Sequence, residues 1–299
     1  MKKLILTTLL FLTSISSFTQ ELIDKIPIQL FDNLIFIKLY VNNSTEPLNF
    51  MFDSGAGITV IDTKVADIIK LKTSELTKIG TSGRTLETKE SLSNNLRLSD
   101  SLKVQDISLF LMDLSHISEY LKFNVDGIIG FDLLNQNIVE MNIDFMEMRF
   151  YKNTNYVGNV NQLNLIDLES NHFGVPIEIR PKGSKKELKL IVKIDTGATN
   201  YLTLHNDFVN KNNLINKKIK YKIRKGFGAD STMTSNLKSK LSLARFASKE
   251  WKNIPVVLEI DSLNQSSKRT ADGLIGQEML LEFNVTYNLN DKIIYLEER

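Results

Sequence analysis

The chain has 299 residues and no cysteine. That excludes a disulfide framework, a thiolate zinc site and a cysteine nucleophile. Histidine is scarce: His116, His172 and His205 are scattered and match no metal-ligand spacing. With 5 Pro and 14 Gly, the chain is neither collagen-like nor low in complexity. The single tryptophan, Trp251, reads as a core residue. There is no Gly-x-Ser-x-Gly elbow, phosphate loop or dinucleotide fingerprint, which sets aside serine hydrolases and nucleotide-dependent enzymes. Beyond the first dozen residues no run is long and apolar enough to span a membrane.

What is present is an ordinary globular composition, 42% apolar. Met1-Lys2-Lys3, the apolar run Leu4–Leu12 and the small residues Thr13–Thr19 have the layout of a secretory signal peptide, with Ser17 and Thr19 at the cleavage positions before Gln20. The expectation is removal of residues 1–19 and export, to the periplasm or the medium; retention as an anchor is the alternative. Without Lys2 and Lys3, Lys+Arg falls from 37 to 35, against 35 Asp+Glu. The mature chain is then formally neutral, so net charge suggests no nucleic-acid or membrane partner. The basic stretch from Lys217 to Lys225 alternates with Ile219, Tyr221 and Ile223 and reads as a strand with a solvated face.

The chain repeats itself once. In the first copy Leu34–Val41, a turn at Asn42–Thr45 and Leu48–Phe52 lead into Asp53-Ser54-Gly55-Ala56. In the second, Val175–Ile179, a turn at Pro181–Ser184 and Leu188–Ile194 lead into Asp195-Thr196-Gly197-Ala198. Both read as hairpins. Val125-Asp126-Gly127-Ile128-Ile129-Gly130 is echoed by Ala271-Asp272-Gly273-Leu274-Ile275-Gly276. The two copies space their elements almost equally: 126 − 53 = 73 positions and 272 − 195 = 77. Strand patterns dominate; the best helix candidate is Asp62–Lys70, with Val65, Ile68 and Ile69 on one face. The fold class expected is mostly β in two similar lobes, residues 20–155 and 156–299, joined through the polar stretch Lys152–Asn159.

One Asp-Ser/Thr-Gly triplet is weak, because these are turn residues. Two triplets, each after an apolar strand and each in register with an Asp-Gly-apolar-apolar-Gly element, are far more specific. On these residues the chain resembles the pepsin and retropepsin clan of aspartic peptidases, from about Ile35 to about Leu296. Ala56 and Ala198 are similar to the retropepsin branch, while two lobes in one chain are pepsin-like. The resemblance implies a bilobal acid-protease fold with an active-site cleft between two β-barrel-like lobes. It implies a catalytic pair, Asp53 and Asp195, with Ser54 and Thr196 hydrogen-bonding between lobes and Gly55 and Gly197 allowing close approach. Two adjacent carboxylates cannot both ionise easily, so they share a proton and serve as base and acid without metal or cofactor.

A flap is expected at Ile79, Gly80, Thr81, Ser82 and Gly83, with Ile79 where pepsins carry tyrosine, and a second at Lys225–Ala229. Asp126 and Asp272 form a rival acid pair but read as turn residues before buried strands. The function expected is an exported endopeptidase acting on peptide or protein substrates as a monomer, since both triplets can meet within one chain. The rival is an inactive peptide- or protein-binding module on the same fold.

Overall fold

The computed structural model describes residues 20–81, 85–153, 156, 158, 160–215, 221–260 and 270–299. The leader expected at 1–19, Ser82 and Gly83 of the first flap, and part of the 152–159 junction lie outside them.

Three sheets account for most of the molecule. The first-lobe sheet runs in the spatial order Gln29–Phe31, Leu34–Val41, Leu48–Phe52, Gly127–Ile129, Thr59–Asp62, Lys103–Met112, Thr85–Arg97 and Leu76–Gly80. The second-lobe sheet repeats that order with Ile166–Asp167, Phe173–Pro181, Leu188–Asp195, Gly273–Gly276, Leu202–Leu204, Pro255–Glu259, Met233–Phe246 and Lys222–Phe227. A third sheet of six strands joins the halves, its central pair being Ile138–Asn142 from one and Phe283–Asn288 from the other. The expected mostly-β, two-lobed fold is borne out.

The strands form where the apolar runs are. Leu34–Ile37 and Phe50–Phe52 are buried on both faces, as continuous apolar and aromatic runs demand. In each lobe the strand leading to the aspartate pairs in parallel with the Gly-apolar-apolar strand. That strand in turn pairs antiparallel with the one following the aspartate loop. Each aspartate is therefore held at the end of a central strand. Met51 lies between Phe36 and Ile128 in the register of its sheet; Lys193 lies between Gly174 and Leu274 in the other.

Asp126 and Asp272 do the same structural task in each lobe. Asp126 Oδ2 accepts the Asn49 amide at 2.7 Å, and Asp272 Oδ2 accepts the Ile191 amide at 3.0 Å. Each carboxylate ties its turn to the neighbouring strand of its own lobe.

Two expectations change. The helix is shorter, Thr63–Ile68, capped by Asp62, whose Oδ1 accepts the Lys64 and Val65 amides. Its inward residues are Ala66 and, partly, Val65, while Ile68 is 76% exposed. The helix spans too few turns to bury a full apolar stripe. The basic strand is described from Lys222, while Lys217, Lys218, Ile219 and Lys220 lie outside the described residues; Lys222 and Lys225 are solvated as expected, but Ile223 and Arg224 exchange the expected faces. Ile223 is 74% exposed, whereas Arg224 turns inward to Asn200 Oδ1 at 2.9 Å. A guanidinium with two acceptors to reach outweighs the burial of one isoleucine.

Candidate active site

The two triplets meet across the lobe boundary. The Ser54 amide donates to Thr196 Oγ1 at 2.8 Å, and the Thr196 amide donates to Ser54 Oγ at 3.1 Å. Each hydroxyl then donates to the carbonyl oxygen just before the opposing aspartate: Thr196 to that of Phe52 at 3.1 Å, Ser54 to that of Ile194 at 3.2 Å. Both amides and both hydroxyls of this buried crossing are thereby paired, which makes it rigid.

The carboxylates face each other above this crossing. A Cβ on Gly55 would lie 2.6 Å from the Asp195 carboxyl carbon, and one on Gly197 would lie 2.5 Å from that of Asp53. Only a residue without a side chain fits at either place. Asp53 Oδ1 accepts the Gly55 amide at 2.7 Å and the Gly197 amide at 3.2 Å. Burial, and then the negative charge of Asp195, push the Asp53 carboxyl up to about 7. Lys193 and the two glycine amides oppose that rise. Gly130 and Gly276 close the floor: a Cβ on either would come within 2.0 Å of the carbonyl oxygen of Asp53 or of Asn200.

Two basic side chains, Lys193 and His172, stand beside this pair, and neither belongs to the triplet motifs. Lys193 Nζ lies 2.9 Å from Asp195 Oδ2 and 3.4 Å from the Gly55 carbonyl oxygen. The signal for it was present in the sequence: residues two apart on a strand share a face, so Lys193 must project beside Asp195. His172 carried no such signal. Its Nε2 is 2.8 Å from the Gly55 carbonyl oxygen and its Nδ1 is 3.2 Å from that of Glu169. Both partners are acceptors, so only the imidazolium can donate to both. Burial, with Lys193 adding to it, holds the ring below its usual pKa. The neutral ring donates one of the two bonds. The loop carrying His172 has three successive residues, Glu169, Ser170 and Asn171, at positive φ. This bend brings Asn171 Nδ2 within 3.0 Å of the Gly57 carbonyl oxygen and presses the loop on the first aspartate turn.

The hairpins singled out as flaps also converge. Ile79 is buried in a satellite cluster with Phe36, Met51 and Ile128. Thr81 Oγ1 donates to Asp230 Oδ2 at 2.5 Å, from the first-lobe hairpin to the tip of the second. The second hairpin, Lys222–Phe227 with Met233–Phe246, reaches the first lobe again at His116, whose Nε2 is 3.2 Å from the Gly228 carbonyl oxygen. There the Phe227 ring meets His116 and Tyr120 edge-on, with centroids 5.4 and 5.3 Å away. Trp251 is not part of the site; it is half-buried and donates to Glu282 at 3.0 Å. Among the described residues no helix is long and apolar enough to cross a membrane.

The fold is the bilobal one of pepsin-like aspartic proteinases. A family model described as aspartyl protease matches residues 37–133, the span from before Asp53 to just past Gly130. No curated protein matches the chain. Among solved structures, the chain is similar to the aspartic proteinase from Irpex lacteus. The TM-score is 0.57 at 14% identity, covering 92% of this chain and 97% of that one. The likeness to pepsin- and retropepsin-like aspartic peptidases drawn from the triplets is thus borne out, in the family model for the first lobe and in the fold for both.

Proposed function

We propose that the chain is an exported aspartic endopeptidase that hydrolyses peptide bonds with a water activated between Asp53 and Asp195. The observation that supports this most directly is the convergence of both triplets, with each glycine in contact with the opposing carboxyl. A buried pair that holds one proton up to about pH 7 can carry the reaction. The ionised carboxylate takes a proton from water as its oxygen adds to the carbonyl carbon. The protonated carboxyl gives its proton to the carbonyl oxygen. In the tetrahedral diol that results, the first carboxyl returns its proton to nitrogen, the second recovers one from a hydroxyl, and the C–N bond breaks. An acid, an amine and the original pair are left. The converging hairpins suit an extended peptide enclosed while this happens. Export rests on the leader-like residues 1–19.

The second reading is a peptide-binding module, and the Lys193–Asp195 ion pair is the observation in its favour, since it occupies one carboxylate. The test is to incubate the protein from Gln20 onward with a diverse peptide library from about pH 3 to 8, a span that covers both limits of a coupled carboxylate pair. Asp53→Asn runs alongside, and products are read by mass spectrometry. Cleavage by the intact protein alone, blocked by a statine-type inhibitor, is expected. Absence of cleavage across the range favours the binding module.

A further inference from the structure

The lobes match strand for strand, but the positions two residues before the aspartates differ in kind. Met51 is 4% exposed and packs in an apolar cluster. Lys193, in the corresponding place, has Gly174 rather than a phenylalanine as its register neighbour. Its ammonium reaches Asp195 Oδ2 at 2.9 Å. Both side chains are largely sheltered, at 23% and 13% exposure, so solvent screens the ion pair only in part.

We propose that Lys193 is a positioning residue that makes the pair unequal: its ammonium keeps Asp195 as the carboxylate, so Asp195 is the base toward water and Asp53 holds the shared proton. The inference rests on the peptidase reading above. The competing geometry is that Asp53 Oδ1 accepts two backbone amides, which also favours a carboxylate. A full charge at 2.9 Å outweighs two amide dipoles on one oxygen. A protonated Asp53 can still accept both amides on Oδ1 while carrying its proton on Oδ2. The other titratable groups around the pair do not reverse this assignment. His172 is held below its usual pKa, and the buried Tyr287 phenol beneath the pair is raised above its own, so both are neutral near pH 7. A symmetric pair can exchange base and acid between its members; in this chain Lys193 assigns them.

The test is a carboxyl ¹³C NMR titration of the aspartate-labelled protein from Gln20 onward, with Asp53→Asn and Asp195→Asn used only to assign signals. The same titration is run on Lys193→Met, which copies Met51, and on Lys193→Arg. In the intact protein the carboxyl that titrates near pH 7 should be that of Asp53. In Lys193→Met the change should spread over both carboxyls and move up by about one pH unit or more. The pH profile of kcat/KM should move the same way. Lys193→Arg should keep the original pattern. Titration at Asp195 in the intact protein, or an unchanged pattern in folded Lys193→Met, overturns the proposal. If Lys193→Met does not fold, the intact protein and Lys193→Arg still decide it: the proton must sit on Asp53 in both. If no variant cleaves peptides while the titrations come out as expected, the peptidase reading fails and the placing of the proton stands.

Discussion

In the first lobe the side chain beside the aspartate is Met51, wedged among Phe36, Val60 and Ile128; in the second it is Lys193, bonded to the aspartate itself. The sheets around these two residues have the same strand order and the same parallel pairing. Backbone pairing therefore repeats while the chemistry at one position does not. A duplicated fold needs the repeated turns, glycines and registers to hold two aspartates in contact. It does not need both lobes to surround them alike, because the side chain two positions upstream meets whatever its own lobe supplies, an apolar cluster for Met51 and the aspartate for Lys193. The first lobe uses that position for packing, the second for charge.

The comparison can be broken most severely at the carboxyls. Asp53→Asn or Asp195→Asn should each lower kcat/KM by on the order of 10³-fold or more, the range for loss of a general acid or base. Gly55→Ala and Gly197→Ala should approach that loss, since the new methyl group meets the opposing carboxyl. Activity against the peptide substrate found in the library screen, with far-ultraviolet circular dichroism as the folding control, checks all four. Near-normal activity in either asparagine variant rules out a joint role for the pair.

Making the first lobe resemble the second should come next. Met51→Lys places an ammonium among Leu34, Phe36 and Ile128, where no glycine leaves room, and should cost about 3–4 kcal/mol by urea unfolding. A cost under about 1 kcal/mol would mean that the lobes are interchangeable at this position. Thr196→Val strands the Ser54 amide and the Phe52 carbonyl, for a loss of roughly 2–4 kcal/mol. Ser54→Ala strands the Thr196 amide and the Ile194 carbonyl and should cost about the same, as the crossing is reciprocal.

The pH dependence follows from Asp53. Its folded-state pKa is raised from 3.8 to about 7, so the folded protein binds a proton that the unfolded chain releases between those values. Stability from this group is full below about pH 4 and declines as pH rises through about 7. Asp53→Asn should flatten that decline, gaining on the order of 2–3 kcal/mol over the intact protein at pH 8, in unfolding curves at pH 4 and 8. A parallel decline in both proteins would place the titrating group elsewhere. The smallest effect belongs to Ile68→Glu. Its side chain is 76% exposed, so unfolding should move by less than about 0.5 kcal/mol, whereas the sequence pattern placed Ile68 on the inward face.

Much of the fold was legible because its signals are local. An apolar strand, a tight turn and a second Gly-apolar-apolar-Gly run are short-range patterns, and their recurrence at near-equal spacing implied two lobes. The residues that the triplets singled out, Asp53, Ser54, Gly55, Asp195, Thr196 and Gly197, are the ones brought together. Helix and strand faces were read less well, because Ile68 and Arg224 answer to neighbours that pattern does not specify. The Thr63–Ile68 helix is too short to bury one full face, and Arg224 follows its acceptors at Asn200 and Thr199.

Strand periodicity thus carries the lobes, the aspartate turns and the shared face of Lys193 and Asp195. Packing supplies the rest: His172 on the Gly55 carbonyl, Thr81 on Asp230, and the reciprocal geometry of the Ser54–Thr196 crossing that the resemblance implied. These partners lie more than a hundred residues apart, 142 in the case of Ser54 and Thr196. No local preference encodes such a pair; it exists only once the six-stranded sheet has brought the two lobes together.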